Sequence, residues 1–290
     1  MRQGLTPDDL FALVLLMRSA DHRTLILVEG PSDSAVLDPH IDSQHCVTIP
    51  GHGKNNVVAA VRLSNGQHVD AVVGVVDADF HGLVGETRYP DNLITTELYD
   101  LDAELFFSDN VVARVINAFA NHASLSQHMQ LTQCGPPEDV AVNVAAAIGA
   151  LRYIAASEGL SLNLSRLPVQ EVVDAATASC DWNRLVLLAF RRSSAPGINP
   201  TWLMDRLADV MAHPPAPARR LCCGHDLSAA LGHFMRREWG ARMGADQVER
   251  TMRAAIGCDA FRNLSVRKKL ARWAEAAGVS VWHGACAGLA

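Results

Sequence analysis

The sequence predicts an α/β fold, a mostly parallel sheet flanked by helices, followed by a mainly α-helical C-terminal region. Three observations predict it. Short, continuous apolar runs alternate with helical patterns up to about residue 108, the order of right-handed βαβ units. The clearest runs, Leu25–Val28 and Ala71–Val76, lack the polar alternation of a half-exposed strand and read as strands covered on both faces. From about residue 110 onward strand signals fade and amphipathic helical patterns dominate. A length of 290 residues accommodates this as two domains, 1–108 with an N-terminal helix and 109–290.

The elements follow in order. Thr6 is an N-cap for a first helix running to about Ser19, with Pro7 at its first position and Asp8 and Asp9 in its first turn. Strand one, Leu25–Val28, ends at Glu29-Gly30, and Pro31, Ser32 and Asp33 open a short helix through Leu37. A second strand at Cys46–Ile49 precedes a Gly51-His52-Gly53-Lys54 loop and a helix over about Asn55–Leu63. Strand three, Ala71–Val76, stops at Asp77-Ala78-Asp79. A glycine- and proline-bearing loop covers Phe80–Asp91, then come a short strand Asn92–Thr96 and a helix Tyr99–Phe107. Helical patterns continue at 110–121, 137–158, 168–178, 183–191, 200–212, 226–239, 246–256 and 264–277, with Pro214-Pro215-Ala216-Pro217 a stiff connection.

A composition of 49% hydrophobic and 19% charged residues excludes a disordered or low-complexity chain. No uninterrupted apolar run approaches the roughly 18 residues of a membrane span, and no basic segment opens a signal peptide, so a cytoplasmic protein with no membrane partner is expected. Seven scattered cysteines without a CxxC pair lead us to expect reduced thiols. The net charge of −6 hides an asymmetry: residues 1–150 carry 7 Lys+Arg against 19 Asp+Glu, residues 151–290 carry 18 against 12. An acidic catalytic part joined to a part that faces phosphates would have this distribution; ordinary compositional drift is the alternative.

Three carboxylates stand at strand ends: Glu29 after strand one, and Asp77 and Asp79 after strand three. Neighbouring strands lie about 4.8 Å apart, so acids at their carboxyl ends can converge on a hard cation such as Mg²⁺. Such a cation, with phosphate oxygens and water completing its shell, serves phosphoryl transfer. His52 and His81 flank the same rim. Lys54 is not a Walker lysine, because the GxxxxGK[ST] spacing is absent; it is either a phosphate partner or a solvated loop lysine.

The words Leu27-Val28-Glu29-Gly30-Pro31-Ser32-Asp33 and Val75-Val76-Asp77-Ala78-Asp79, in this order and separation, resemble the two signatures of a Toprim domain, the fold shared by topoisomerases, bacterial primases and OLD-family nucleases. Gly51–Val57, Asn92–Glu104 and Cys223-Gly224-His225-Asp226-Leu227 are similar to a group of bacterial Toprim proteins close to the OLD nucleases, a group that includes the nuclease subunit of PARIS anti-phage systems. The resemblance covers about residues 24–108; beyond it only the Gly-His-Asp-Leu word matches. It implies a Mg²⁺-dependent endonuclease, with Mn²⁺ as a substitute, acting on DNA or RNA, tRNA included, in phage defence. Glu29 then works as a general acid–base or metal ligand, and Asp77 and Asp79 hold the metal. Asp33 matches the second acid of the first signature, and Asp100 or Asp102 completes a second metal site, although Tyr99-Asp100-Leu101-Asp102 stands where Asp-Leu-Glu is expected. Helix capping is the competing role for Asp33 and Asp100.

The pairs Arg191-Arg192, Arg219-Arg220 and Arg236-Arg237 and the run Arg267-Lys268-Lys269 are either solvated faces or phosphate contacts, and His225 reads as structural. The resemblance further implies an ABC- or AAA-type ATPase partner and is compatible with a homodimer. A non-catalytic Toprim docking subunit for such an ATPase is the rival reading. No tyrosine lies in a recognisable breakage domain and no zinc module is present, which disfavours topoisomerase and primase. A haloacid-dehalogenase-type phosphotransferase is disfavoured because the Asp-x-Asp follows the third strand.

Overall fold

The computed structural model describes residues 5–85, 87–193 and 198–287. The expected α/β architecture is present. Helix α1 (Pro7–Ala20) is opened by a capping box in which Thr6 Oγ1 accepts the Asp9 N–H at 3.2 Å and Asp9 Oδ2 accepts the Thr6 N–H at 2.9 Å. Strand β1 (Thr24–Val28), helix α2 (Pro31–Leu37), strand β2 (Cys46–Pro50), helix α3 (Lys54–Gly66), strand β3 (Val72–Val76), strand β4 (Leu93–Thr95) and helix α4 (Leu101–Phe106) follow. The four strands form one parallel sheet in the order β2-β1-β3-β4.

All five residues of β1 and all five of β3 are buried, as their unbroken apolar runs require. Side chains alternate along a strand, so Leu25 and Leu27 of β1 and Val72 and Val76 of β3 share one face of the sheet. There they pack with Leu10 and Val14 of α1 and Val57, Ala60 and Val61 of α3. Gly74 lies on this face because nothing larger fits: a Cβ would sit 2.5 Å from Leu93 Cδ1 and 2.8 Å from Val61 Cγ2.

The chain then continues through α5 (Val111–Phe119), α6 (His122–Thr132), α7 (Asp139–Ser157), a 3-10 turn at Val169–Glu171, the short antiparallel pair β5 (Val173–Asp174) and β6 (Ser179–Cys180), α8 (Trp182–Arg192), α9 (Pro200–Ala212), α10 (Ala218–Leu221), α11 (Gly224–Arg237) and α12 (Ala245–Ala255). Helices α13 (Cys258–Asn263), α14 (Ser265–Ala277) and α15 (Gly284–Ala287) complete it.

Two compact units result, with boundaries other than the expected 1–108 and 109–290. The first takes in the chain up to Ala78, Thr87–Glu104 and the segment from Ile256 onward; the second takes in the loop beginning at Asp79 together with Leu105–Ala255. The segment from Ile256 rejoins the sheet unit through long-range bonds that no local pattern announces. Among them are Asp42 N–H to the Val281 carbonyl (2.8 Å) and Lys269 Nζ to the Thr95 carbonyl (2.7 Å).

Two further expectations are corrected. Residues 168–178 are not a helix: Asp174 Oδ1 accepts the Ala176 N–H at 3.0 Å and Ala178 takes φ 47°, which turns the chain into the β5–β6 pair. The thiols are not all reduced. Cys258 and Cys286, 28 residues apart with Cα atoms 4.9 Å apart, form a disulfide, while Cys46, Cys134 and Cys180 are free. Helix α7 is long and apolar enough by length and composition to cross a membrane, which a count of uninterrupted apolar residues passes over. Eleven of its residues, Val140 to Ile154, are buried within the protein, and such burial equally marks a core helix.

Candidate functional site

The sheet order locates the rim that matters. The chain leaves β1 for β2 on one side and returns to β3 on the other, so the carboxyl ends of β1 and β3 frame a topological switch point, where open α/β sheets bind ligands. Val28 pairs with Val75, which places Glu29, the next residue of the first strand, level with Val76 and beside Asp77. Glu29 Oε1 accepts the Asp77 backbone N–H at 2.8 Å, so the Glu29 side chain reaches across to the end of the neighbouring strand. Lys54 Nζ donates to the Asp77 carbonyl at 2.6 Å, and Asp77 Oδ1 accepts the Leu101 N–H at 3.2 Å. The loop after β2 closes over the same end: Gly53 N–H donates to the Glu29 carbonyl at 2.9 Å, with Gly53 at φ 127°, a conformation that favours glycine. His52, in this loop, is exposed.

Asp33 and Asp100 have the local roles that compete with metal binding. Asp33 Oδ2 accepts the Gly30 N–H at 2.8 Å at the start of α2, and Asp100 Oδ1 accepts the Ala103 N–H at 2.7 Å at the start of α4. Asp102 is half-buried in the first turn of α4. Two residues that sequence reasoning passed over brace this end of the sheet. Thr96 Oγ1 accepts the Ala78 N–H at 2.7 Å and donates to the Leu98 carbonyl at 2.7 Å. Glu104, 5% exposed, accepts the Glu97 N–H at 2.6 Å and the Ser265 N–H at 3.0 Å, and also bonds the Ser265 hydroxyl, so it caps α14. Its position inside the Asn92–Glu104 word was the only signal of it.

The basic run Arg267-Lys268-Lys269 does not form a single solvated face. Lys269 closes the carboxyl end of β4 through its bonds to the Thr95 and Thr96 carbonyls. Arg267 donates to the Cys286 and Ala287 carbonyls at 3.1 and 2.7 Å and lies over the Trp282 ring. Burial, with Arg262 nearby, pulls the Arg267 guanidinium below its ordinary value. Only Lys268 of the three is exposed.

In the second unit Asp79 takes φ 47°, and Arg220 donates to the carbonyls of Asp79 and His81, both at 2.8 Å, clamping the loop that Asp79 begins. Arg191, Arg236, Arg237 and Arg219 are exposed, whereas Arg192 donates to the Ser165 carbonyl at 2.7 Å. The Gly-His-Asp-Leu word opens α11 and builds a charged core. Asp226, fully buried, is gripped by Arg152 of α7 through Nε at 3.0 Å and a second nitrogen at 3.1 Å. Burial pushes the Asp226 carboxyl up, against the pull of Arg152. His225 Nδ1 lies 2.8 Å from Glu249 Oε1 of α12, and that hydrogen bond raises His225 above its ordinary value. Burial acts to raise Glu249, but the His225 bond and the charges of His225 and Arg253 outweigh it and hold the carboxyl low. His225 thus ties the start of α11 to α12.

No family model matches this chain. A search of curated proteins finds no match either. The rim consists of two strand-end acids, with the Glu29 carboxylate on the Asp77 backbone N–H, a lysine fixed on the same strand end, and a glycine loop folded over it.

Proposed function

We propose that the chain is a Toprim-type, metal-dependent nuclease that cleaves phosphodiester bonds in DNA or RNA, tRNA included, as an effector of bacterial phage defence. One observation carries the reading: Glu29 and Asp77 stand at the carboxyl ends of adjacent parallel strands at the switch point, with the Glu29 carboxylate accepting the Asp77 backbone N–H at 2.8 Å. Two carboxylate-bearing residues at adjacent strand ends suit a hard cation, Mg²⁺ or Mn²⁺. Glu29 and Asp77 would hold it, with Asp79, two residues on along the chain, added by the sequence pattern. The bound cation supplies polarisation of the scissile phosphate and stabilisation of the leaving oxygen. Glu29 handles the proton of the attacking water. Lys54, anchored on the Asp77 carbonyl, positions the strand end.

The test is incubation of the purified protein with plasmid and tRNA, with Mg²⁺ or Mn²⁺ and with a chelator. Cleavage should require the metal, and Asp77→Asn or Glu29→Gln should lower it roughly 100-fold or more while the protein stays folded. Wild-type cleavage by folded Asp77→Asn would overturn the assignment.

The second reading is a non-catalytic docking subunit for an ABC- or AAA-type ATPase. It is favoured by the placement of Asp33 and Asp100, each with a carboxylate oxygen on a helix-opening N–H, which draws donors away from a second metal. Metal-independent inertness of the wild type towards both nucleic acids, with the ATPase present as well as absent, would favour it.

A further inference from the structure

Away from the strand-end acids, three side chains with soft ligand atoms meet in the first unit. His40 lies just after α2, Cys258 opens α13 and Cys286 lies in α15. His40 Nδ1 is 3.2 Å from Cys286 Sγ and 3.9 Å from Cys258 Sγ, and all three ligand atoms lie within 4.8 Å of one another. His40 is 4% exposed, and its Nε2 is a buried nitrogen without a hydrogen-bond partner among the described residues. Its ring is held in plane by stacking on Phe261 at 3.9 Å and 16°. The backbone holds the group from both sides: Ile41 bridges Trp282, His283 N–H donates to the His40 carbonyl at 3.3 Å, and Cys286 N–H donates to the His283 carbonyl at 2.9 Å.

We propose that His40, Cys258 and Cys286 form a Zn²⁺ site that becomes available when the Cys258–Cys286 disulfide is reduced. Tetrahedral zinc with Zn–S near 2.3 Å and Zn–N near 2.0 Å sets its S···N pairs roughly 3.6 Å apart. The two observed separations, 3.2 and 3.9 Å, bracket that value. The sulfurs need only part to roughly 3.8 Å, which side-chain rotation supplies. Three protein ligands leave a fourth position for water, on the side of half-buried Cys258. Two thiolates and an imidazole select zinc over the hard cation suited to the strand-end carboxylates, so the two sites do not compete for one metal.

The exchange balances. A dithiol reductant breaks the Sγ–Sγ bond, passing two electrons and two protons to the sulfurs as it becomes a disulfide itself. Zn²⁺ then displaces the two thiol protons as it binds.

Cobalt is the probe. Full-length protein, reduced with a dithiol that is then removed under anaerobic conditions, is titrated with Co²⁺. One equivalent should give the near-ultraviolet thiolate-to-cobalt band and the visible bands of a four-coordinate ion, and Zn²⁺ should abolish both. The oxidised protein and Cys258→Ser should give no such band, which also removes the five other thiols from consideration. His40→Gln should weaken cobalt binding at least tenfold, and Asp77→Asn should leave it unchanged. Should His40→Gln fail to fold, alkylation of the reduced wild type decides: Zn²⁺ should protect Cys258 and Cys286 but not Cys134. The proposal is overturned if the reduced wild type gives no thiolate band and no protection, if the band survives Cys258→Ser, or if folded His40→Gln binds as the wild type does.

Discussion

Replacing Glu104 with alanine separates the acids that hold the fold from those that serve the rim. The Glu104 carboxylate is 5% exposed and accepts the Glu97 N–H at 2.6 Å, the Ser265 N–H at 3.0 Å, the Val266 N–H at 3.4 Å and the Ser265 hydroxyl. Truncation leaves the Glu97 N–H a fallback, since Ser265 Oγ already lies 3.0 Å from it. The two N–H groups that open α14 have no second acceptor among the described residues. Hydrogen bonds to an ionised group contribute about 1.5–3 kcal/mol each, and the Val266 bond is long, so the loss should total about 3 kcal/mol. For a chain of this size that lowers the melting temperature by roughly 6–12 °C. Hydrogen exchange read on peptides from α14 and from the Thr95–Glu97 segment, alongside a denaturant titration, reports the loss where it arises. Glu104→Gln, which keeps one acceptor oxygen, should lose about half as much. A loss below about 1 kcal/mol for Glu104→Ala, or faster exchange confined to the second unit, would refute the claim that this acid ties α14 to the sheet.

Other perturbations have equally definite outcomes. Gly74→Ala should destabilise the first unit by about 1–3 kcal/mol through overpacking against Leu93 and Val61, measured by denaturant titration, with little change if those side chains yield freely. Arg220→Met removes two donors from the Asp79 and His81 carbonyls and should speed amide exchange in residues 80–85 selectively. His225 is raised above its ordinary 6.5, so its pairing with Glu249 stabilises the fold fully below about pH 6.5 and less as pH rises through its higher folded value. The melting-temperature gap between wild type and His225→Gln should therefore shrink from mildly acidic to alkaline pH; a constant gap would dissociate that pairing from stability.

What could be read from the sequence was local. The edges of β1 and β3, the Thr6 cap and the strand-end positions of Glu29 and Asp77 follow from neighbouring residues alone, because an apolar run covered on both faces has few other destinations. Helix α6 escaped because His122–Thr132 carries little apolar periodicity; it begins where Asn121 accepts the Ser124 N–H at 3.0 Å. Residues 168–178 misled for the opposite reason, an apolar spacing that suits a helix but is interrupted by an Asp174 turn. The remaining gaps are long-range. The Glu104–Ser265 cap spans 161 residues and the His40–Cys286 approach spans 246, distances over which no pattern in a single chain signals proximity. The basic run at 267–269 likewise read as a solvated face or a set of phosphate contacts, and nothing in it signalled the carbonyls of Thr95, Cys286 and Ala287 that it bonds.

That the sheet unit is assembled from three separate stretches of chain bears on how the protein comes into being. During synthesis the four parallel strands emerge early, yet the helix that Glu104 caps and the lysine that closes β4 leave the ribosome after roughly 150 further residues, at about 5–20 residues per second. Contacts of such sequence separation form slowly even once both partners exist, since loop closure must precede any gain from pairing. For many seconds the nascent sheet therefore lacks the braces on its carboxyl rim, while the helical unit between can fold on local contacts. A nascent chain stopped before Ile256 should expose this rim unbraced, so the time at which the carboxyl rim matures is set by translation of the last segment and not by the appearance of the acids themselves.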